Sequence, residues 1–397
     1  MKKVKYLIDG RFLSSMSSGV DRYAYQILNE LDKICSSLDI SILVPAGAKE
    51  VPDYRNIKVI VSKRTKYWTQ VVFGGFARMH GMTPVNLCNE VSMTAPKGIV
   101  CLHDVCYAET ADVFPYVDEI PAQEREWFLR VYKRIKKKTK KIITVSEFSK
   151  QRIEKLLGIP SEKITVIGNG WQHFKEVKED ESVFMKNLHL VKGEYFYTLT
   201  SANKNKNADW VLRAARLNPD RQFVISGKGL ERIADFKEYP NVFYTGFASD
   251  QTAKSLMKHC RAFLFPSYYE GFGIPPLEAL STGAQIVVAE RASLPEIFGS
   301  AAHYINPDDP NVDLEKLLQE NTENAESVLT VYSWKNAAEK LLLLFCRRCQ
   351  LATLVSTPSR RLCISRTASS VGTGITSMES IMVRFSAVSS LIMESLM

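Results

Sequence analysis

The 397-residue sequence is 45% apolar and 24% charged, with a formal net charge of +9, and is long enough for two domains with substantial cores. No apolar run approaches the length of a bilayer span, and Met1-Lys2-Lys3 leads straight into a strand-like run, so neither a membrane-spanning protein nor a secretion signal is expected. The eight cysteines are scattered and read as free thiols in a reducing cytosol; Cys346 and Cys349 have metal-like or redox-like spacing, but no second pair or histidine follows at ligand spacing.

Val4–Asp9 is a β-branched and apolar run, followed by Gly10-Arg11 and a serine-rich loop ending at Gly19. A helix is expected from about Val20, with Tyr23, Ile27, Leu28 and Leu31 on one face. Strand, glycine loop and helix make the first unit of a nucleotide-handling α/β domain. Ser41–Val44, Ile57–Val61, Val85–Cys88 and Ile99–Leu102 read as further strands, the last running into His103-Asp104. A histidine just past a strand's carboxyl end sits where open α/β sheets keep their ligands, although a locally bonded loop histidine has the same sequence context.

From Pro121 to Lys141 the sequence predicts a helix carrying nine lysines and arginines. Trp127, Phe128, Val131, Tyr132 and Ile135 supply its apolar face. Basic and aromatic residues together fit contact with anionic lipid; a solvated helix packed on its own sheet reads the same way. Ile142–Val145 is then a strand, and Ser146 caps a helix over Glu147–Leu157. Ile164–Ile167 is the last strand of the first half, and Gly168-Asn169-Gly170 reads as an interdomain hinge.

Tyr195–Leu199 opens the second half and is followed by a polar run from Thr200 to Asn207. Gln222–Ile225, with Gly227 and Gly229 after it, and Val242–Gly246 continue the strands. Ser249 caps a helix through Met257, and Ser333-Trp334 begins the last helix, to about Leu344. The expected domains are 1–170 and 171–345. Beyond about Cys346 lysine and aspartate vanish and no period persists, so 346–397 reads as non-homologous sequence or a disordered interaction tail.

The most informative stretch runs from Phe263 to Phe298. Phe263-Leu264-Phe265 is a short buried strand stopped by Pro266. Because proline suits a first helical turn and not an interior, a helix is expected to start at Pro275 or Pro276. Glu270 then lies on the loop before it and Glu278 inside the first turn. Between them stands a glycine-lined helix N-terminus with free N–H groups and a positive dipole end. This is a pocket for an anion flanked by two hydroxyl acceptors, which suits a sugar nucleotide.

The stretch resembles the signature of the retaining, nucleotide-sugar-dependent glycosyltransferases of the bacterial group 1, or family 4, type, written around EGFGxPxxEA with seven residues between its two glutamates. Glu270, Gly271, Phe272, Gly273, Pro275, Glu278 and Ala279 match, and Gly283, the strand Gln285–Ala289 and Ser293–Glu296 continue the match. The run Thr144–Lys150 is also family-like. The family's glycine loop, often GGIGRY, reads Ser18–Tyr23 here, with Gly19 matching and Asp21 in place of a glycine. Where the family has an arginine and, five residues later, a lysine on the leaving diphosphate, this sequence has Ser201 and Lys206.

The resemblance implies an α/β protein of GT-B fold, two doubly wound Rossmann-like domains facing a cleft, the first on the acceptor side and the second binding the donor. It implies sugar transfer from a nucleoside-diphosphate sugar to a hydroxyl of a glycan or lipid-linked acceptor, with retention and without metal or other cofactor, in cell-surface polysaccharide synthesis such as lipopolysaccharide or capsule. The implied catalytic residues are His103, Glu270 and Lys206; the implied donor-binding residues are Gly19, Ser201, Lys206, Gly271, Phe272, Gly273 and Glu278. A cytoplasmic location with peripheral contact on the inner face of the membrane is expected, and no nucleic-acid partner. Two other readings stay open: a sugar-nucleotide epimerase or glycan phosphorylase on the same fold, and a non-catalytic subunit that binds sugar nucleotide.

Overall fold

Apolar runs alternating with helices leave one arrangement for strands buried on both faces, a parallel sheet with crossover helices. In the computed structural model they form two such sheets; residues 4–16, 18–49, 51–186 and 190–346 are described. The first has seven strands: β1 (Lys5–Asp9), β2 (Asp39–Pro45), β3 (Lys58–Ser62), β4 (Thr83–Asn86), β5 (Gly98–Cys101), β6 (Thr139–Thr144) and β7 (Ile164–Val166). Their order is β3-β2-β1-β4-β5-β6-β7, all parallel. Helices α1 (Gly19–Ile34), α2 (Gly74–Met79), α3 (Ala122–Lys138) and α4 (Glu147–Leu157) connect them.

After α5 (Gln172–Lys175) and α6 (Ser182–Lys186), the second sheet is built from β8 (Tyr195–Ser201), β9 (Gln222–Lys228), β10 (Val242–Gly246), β11 (Ala262–Phe265), β12 (Ile286–Ala289) and β13 (His303–Ile305). Its order is β10-β9-β8-β11-β12-β13, again all parallel. Connecting and following helices are α7 (Ala208–Leu217), α8 (Asp250–His259), α9 (Ile274–Ser281), α10 (Leu294–Phe298), α11 (Leu314–Leu317), α12 (Glu326–Leu329) and α13 (Trp334–Phe345). Each sheet reverses its winding once, between β1 and β4 and between β8 and β11. Loops leaving neighbouring strands diverge to opposite faces there, which opens a crevice at the strands' carboxyl ends.

The basic helix ends earlier than the sequence predicts. The N–H and hydroxyl of Thr139 both close on the Ile135 carbonyl, the hydroxyl at 2.7 Å, and Thr139 already pairs with Gly98 in the sheet. Lys140 and Lys141 are therefore strand residues and not part of the basic helical face. Of the expected apolar face of α3, Val131, Tyr132 and Ile135 are buried under β5 and β6 residues such as Val100 and Ile142, Phe128 is half-buried, and Trp127 is exposed. Among the described residues no helix is long and apolar enough to cross a membrane. Residues 347–397, with Cys349, Cys363 and nearly all of the atypical tail, lie outside the described residues.

Candidate active site

β8 ends at Ser201, and the turn after it folds back toward the loop that leaves β11. Asn207 makes this possible, with φ of 52° in the left-handed region that asparagine tolerates better than most residues. Its amide donates to the Pro266 and Pro307 carbonyls at 3.0 and 2.9 Å. The Tyr268 N–H donates to the Asn205 carbonyl at 2.8 Å, and the Asn205 amide to the Tyr269 carbonyl at 3.2 Å. Two loops from either side of the second sheet's reversal are thus tied together. Across them the Lys206 ammonium lies 2.7 Å from Glu270 Oε1, the side chains 28% and 11% exposed.

The glycines here are dictated by close approach. A Cβ on Gly271 would sit 2.7 Å from the His103 carbonyl, and Gly273 has φ of +97° with Leu294 2.8 Å from where its Cβ would be. Only glycine accepts both constraints. Phe272 packs edge-on against Tyr332, with centroids 5.1 Å apart. The Ser201 hydroxyl accepts from the Asn203 N–H at 3.4 Å, within the turn. Its register partner is Lys228, whose ammonium lies over the Phe247 ring, 4.5 Å from the centroid.

α9 begins at Ile274 and is capped by Gly273, so the expected start at Pro275 or Pro276 is corrected. The left-handed cap lets the helix open before the prolines, which fall at its second and third positions. Neither carries an N–H, so the N-terminus presents fewer donors than the sequence reading assumed. Glu278 consequently lies one turn in, not in the first turn, and is 3% exposed.

Its carboxylate is held from several elements. Oε1 accepts from Arg22 Nη1 at 2.7 Å and His173 Nε2 at 2.8 Å. Arg22, on α1, also grips both oxygens of Asp250 at 2.9 Å. The Trp334 indole N–H, a donor only, reaches His173 Nδ1 at 2.9 Å. Nδ1 must then accept, which puts the ring hydrogen on Nε2, facing Glu278. Arg22, His173, Asp250 and Trp334 were missed by sequence reasoning: they are far apart in the chain, and the only trace was Arg22 inside the glycine-loop resemblance.

Gly19 is the first residue of α1, and its Cα faces Ile274 across the cleft, a Cβ there meeting the Ile274 side chain at 3.6 Å. Asp21 explains its own departure from the family loop. With Ser18 it makes a capping box, accepting from the Ser18 N–H at 3.1 Å while the Ser18 hydroxyl accepts from the Asp21 N–H at 3.2 Å. These N–H groups are spent on the protein. His103 lies beside Gly271 through its main chain; its ring is edge-on to Tyr23 at 4.9 Å. Its Nε2 lies 3.0 Å from the Leu87 carbonyl, which can only accept. Burial holds this imidazole below the ordinary histidine range, against the opposing pull of that carbonyl.

At the first sheet's reversal, Asp9 ends β1 in a buried position. It accepts from the Trp68 indole N–H at 2.6 Å, the Asn86 amide at 3.0 Å and the Arg11 N–H at 3.1 Å. A cavity of about 620 Å³ opens in front of this sheet, lined by Asn89, Asp104, Tyr107 and Phe128 and, from the second sheet's side, by Asn203 and Lys204. Its size suits one small polar ligand. Lys204 reaches over it to Glu119 at 3.4 Å. The Tyr269 hydroxyl donates to Glu109 Oε1 at 3.0 Å, and Glu109 is paired with Arg152. The residue before Glu270 is therefore anchored in the first domain.

Comparison with known proteins gives concordant matches. Residues 179–328 match the family model "Glycosyl transferases group 1", and residues 99–172 match "Glycosyltransferase Family 4". The serotype-specific mannosyltransferase WbdA of Escherichia coli is 26% identical over 230 residues, 50% of this chain and 27% of WbdA. The O-antigen chain mannosyltransferase B of Escherichia coli is 28% identical over 194 residues, 45% of this chain and 51% of that protein. RfbU of Salmonella typhimurium, an O-antigen chain mannosyltransferase, is 26% identical over 225 residues, 55% of this chain and 60% of RfbU. The matched part thus spans between about a quarter and three fifths of these relatives. Among solved structures, WaaG, a glycosyltransferase involved in lipopolysaccharide biosynthesis, superposes with a TM-score of 0.61 at 14% identity, over 86% of this chain and all of WaaG. Anabaena HepE in complex with UDP and glucose gives 0.60 at 16% identity, over 89% of this chain and all of HepE. These likenesses, with the two parallel sheets, establish the GT-B fold.

Proposed function

The chain belongs to the group 1 glycosyltransferases, and from that premise we propose that it transfers a hexose, mannose first among candidates, from a nucleoside-diphosphate sugar to a hydroxyl of a cell-surface glycan or lipid-linked acceptor, with retention. The observation that carries this reading is the Lys206–Glu270 pair on a glycine-lined loop at the second sheet's reversal. An ammonium that a diphosphate can take over, beside a carboxylate at the transferred ring, is what such a transfer requires. The mannosyl preference rests on the mannosyltransferase relatives. In the proposed step the bond from the anomeric carbon to the phosphate oxygen breaks while the acceptor oxygen bonds to the same face. The acceptor's proton passes to the departing phosphate oxygen.

Lys206 supplies positive charge for the leaving group, so the reading includes turnover after EDTA treatment. Ser201 brings no second cation, and the pocket relies on the lysine and on the backbone near Ile274. The exposed face of α3, with Arg130, Lys133 and Lys137, supports peripheral contact with anionic lipid. A thermal-shift panel of GDP-, UDP- and dTDP-sugars tests the proposal. One nucleotide class should raise Tm as ligand binding to the folded state demands, and the matching sugar should be transferred with its anomeric configuration kept, as read by NMR of the product. A panel in which no nucleotide sugar moves Tm overturns it.

A further inference from the structure

α3 separates two cavities. Glu124, Phe128 and Tyr132 line the 620 Å³ cleft. One step round the helix, Trp127, Val131 and Arg134 line another cavity, of about 250 Å³, with Tyr67, Trp68 and Glu90 opposite. The spacings of three and four residues make these adjacent stripes of one helix. An aromatic ridge joins them: Trp127 meets Phe128 edge-on at 4.7 Å, and Phe128 stacks on Tyr107 at 3.7 Å. The loop after β4 runs along both, with Asn89 in the cleft and Glu90 in the second cavity.

Trp127 is 50% and Tyr67 76% exposed, so the second cavity keeps large aromatic faces in water at its rim. Two of its charged groups, Arg11 and Glu90, are opposite in sign, and Arg134 adds a second cation. Arg11 is ion-paired with Glu90, which also accepts from the Thr69 hydroxyl at 2.8 Å. Electron-rich ring faces attract the C–H faces of a pyranose, and a few fixed donors and acceptors orient its hydroxyls. We propose that this cavity is a distal acceptor subsite, which holds a sugar ring of an oligosaccharide one or more units away from the ring that receives the transferred hexose. The inference rests on the transferase reading for what is bound, and on the aromatic ridge for where.

Linear α-manno-oligosaccharides of one to four residues are the probe, with binding followed by tryptophan emission without donor, since Trp68 and Trp127 both line the cavity. Affinity should rise roughly tenfold, about 1.4 kcal/mol, from the monosaccharide to the tetrasaccharide. Trp127→Ala should abolish that rise and Trp127→Phe should keep most of it. In transfer assays with GDP-mannose, the kcat/KM ratio of tetrasaccharide to monosaccharide should fall from about ten to about one in Trp127→Ala, on the same conversion. Equal affinity for all lengths, or an unchanged ratio in Trp127→Ala, overturns the subsite. Loss of sedimentation with phosphatidylglycerol vesicles, with the ratio untouched, would assign the ridge to a membrane and overturn it as well. Length-dependent binding without turnover on any donor keeps the site and discards the transferase reading; turnover without length dependence does the reverse.

Discussion

The two sheets are wound alike, but their reversal points differ in charge. Between β8 and β11, Lys206 and Glu270 pair across two adjoining loops, with the lysine partly exposed, so a ligand anion can take over the ammonium. Between β1 and β4, burial pushes the Asp9 carboxyl up to about 6, only partly offset by the Trp68 hydrogen bond. The nearest cation, Arg11, is already paired with Glu90. A crevice for a diphosphate needs a cation it can release, and one for hydroxyls needs acceptors without net positive charge. On the function proposed above, equivalent topology with unlike side chains would put the donor's diphosphate at the second sheet and the acceptor at the first.

The widest separation of the two crevices comes from Glu270→Gln. Removing a group that acts on developing charge costs on the order of a hundred- to a thousandfold in kcat. The substitution also frees Lys206 from its ion pair, so the nucleoside diphosphate should bind as well as or better than to the wild type. Initial-rate kinetics with isothermal titration read both. A kcat within a few-fold of wild type would remove the functional difference between the crevices.

Asp9→Asn tests the other side. A carboxyl raised in the folded state to about 6, against about 3.9 unfolded, favours folding below pH 4. That contribution disappears as pH rises through 6, because the unfolded chain ionises first. Two units correspond to roughly 2–3 kcal/mol. The asparagine side chain does not titrate, so the stability of the variant relative to wild type should improve by about that amount between pH 4 and pH 7 in urea melts. A difference that does not change with pH would mean that Asp9 is charged throughout, and the two crevices would be electrically closer than argued.

What could be read from the sequence was local. The Glu270–Glu278 stretch, the apolar strands and the caps at Ser146 and Ser249 are signalled by neighbouring residues, and they stand where expected apart from the start of α9. That start depends on Gly273 adopting a left-handed conformation, which the Pro275-Pro276 signal outweighed. The end of α3 was hidden because Lys136–Lys141 has no apolar period to distinguish the last helical turn from a half-exposed strand. The Arg22–His173–Trp334 cluster around Glu278 arises only from tertiary packing, and Asp9 looks like any polar residue that ends a strand.

Glu278→Gln probes the donor crevice at a second point. The amide oxygen can still accept from Arg22 and His173, so the fold should persist while the charge is lost. Hydrogen bonds to a charged group contribute on the order of 1.5–3 kcal/mol. If Glu278 holds the nucleotide's ribose, donor KM should rise roughly ten- to a hundredfold with kcat little changed, because those contacts exist before and during reaction alike. An unchanged KM with a lowered Tm would make Glu278 a tether between elements, and only Glu270 would remain as the reactive carboxylate.

The smallest effect is expected from Trp334→Phe, which asks how firmly that second glutamate is aimed. The indole N–H at 2.9 Å from His173 Nδ1 leaves the imidazole one way to present its hydrogen, through Nε2 toward Glu278. Phenylalanine keeps most of the ring but has no donor, so Nδ1 loses its partner and the alternative tautomer becomes accessible. The lost hydrogen bond is worth about 1 kcal/mol, which corresponds to roughly a fivefold rise in donor KM at constant kcat. A small loss of Tm alone would follow from the smaller side chain, so the deciding readout is the nitrogen NMR of His173. A mixture of tautomers in the variant, against a single Nε2–H form in the wild type, ties the KM change to the aim of the ring. A single tautomer in both proteins would show that Glu278 and Arg22 orient His173 without Trp334.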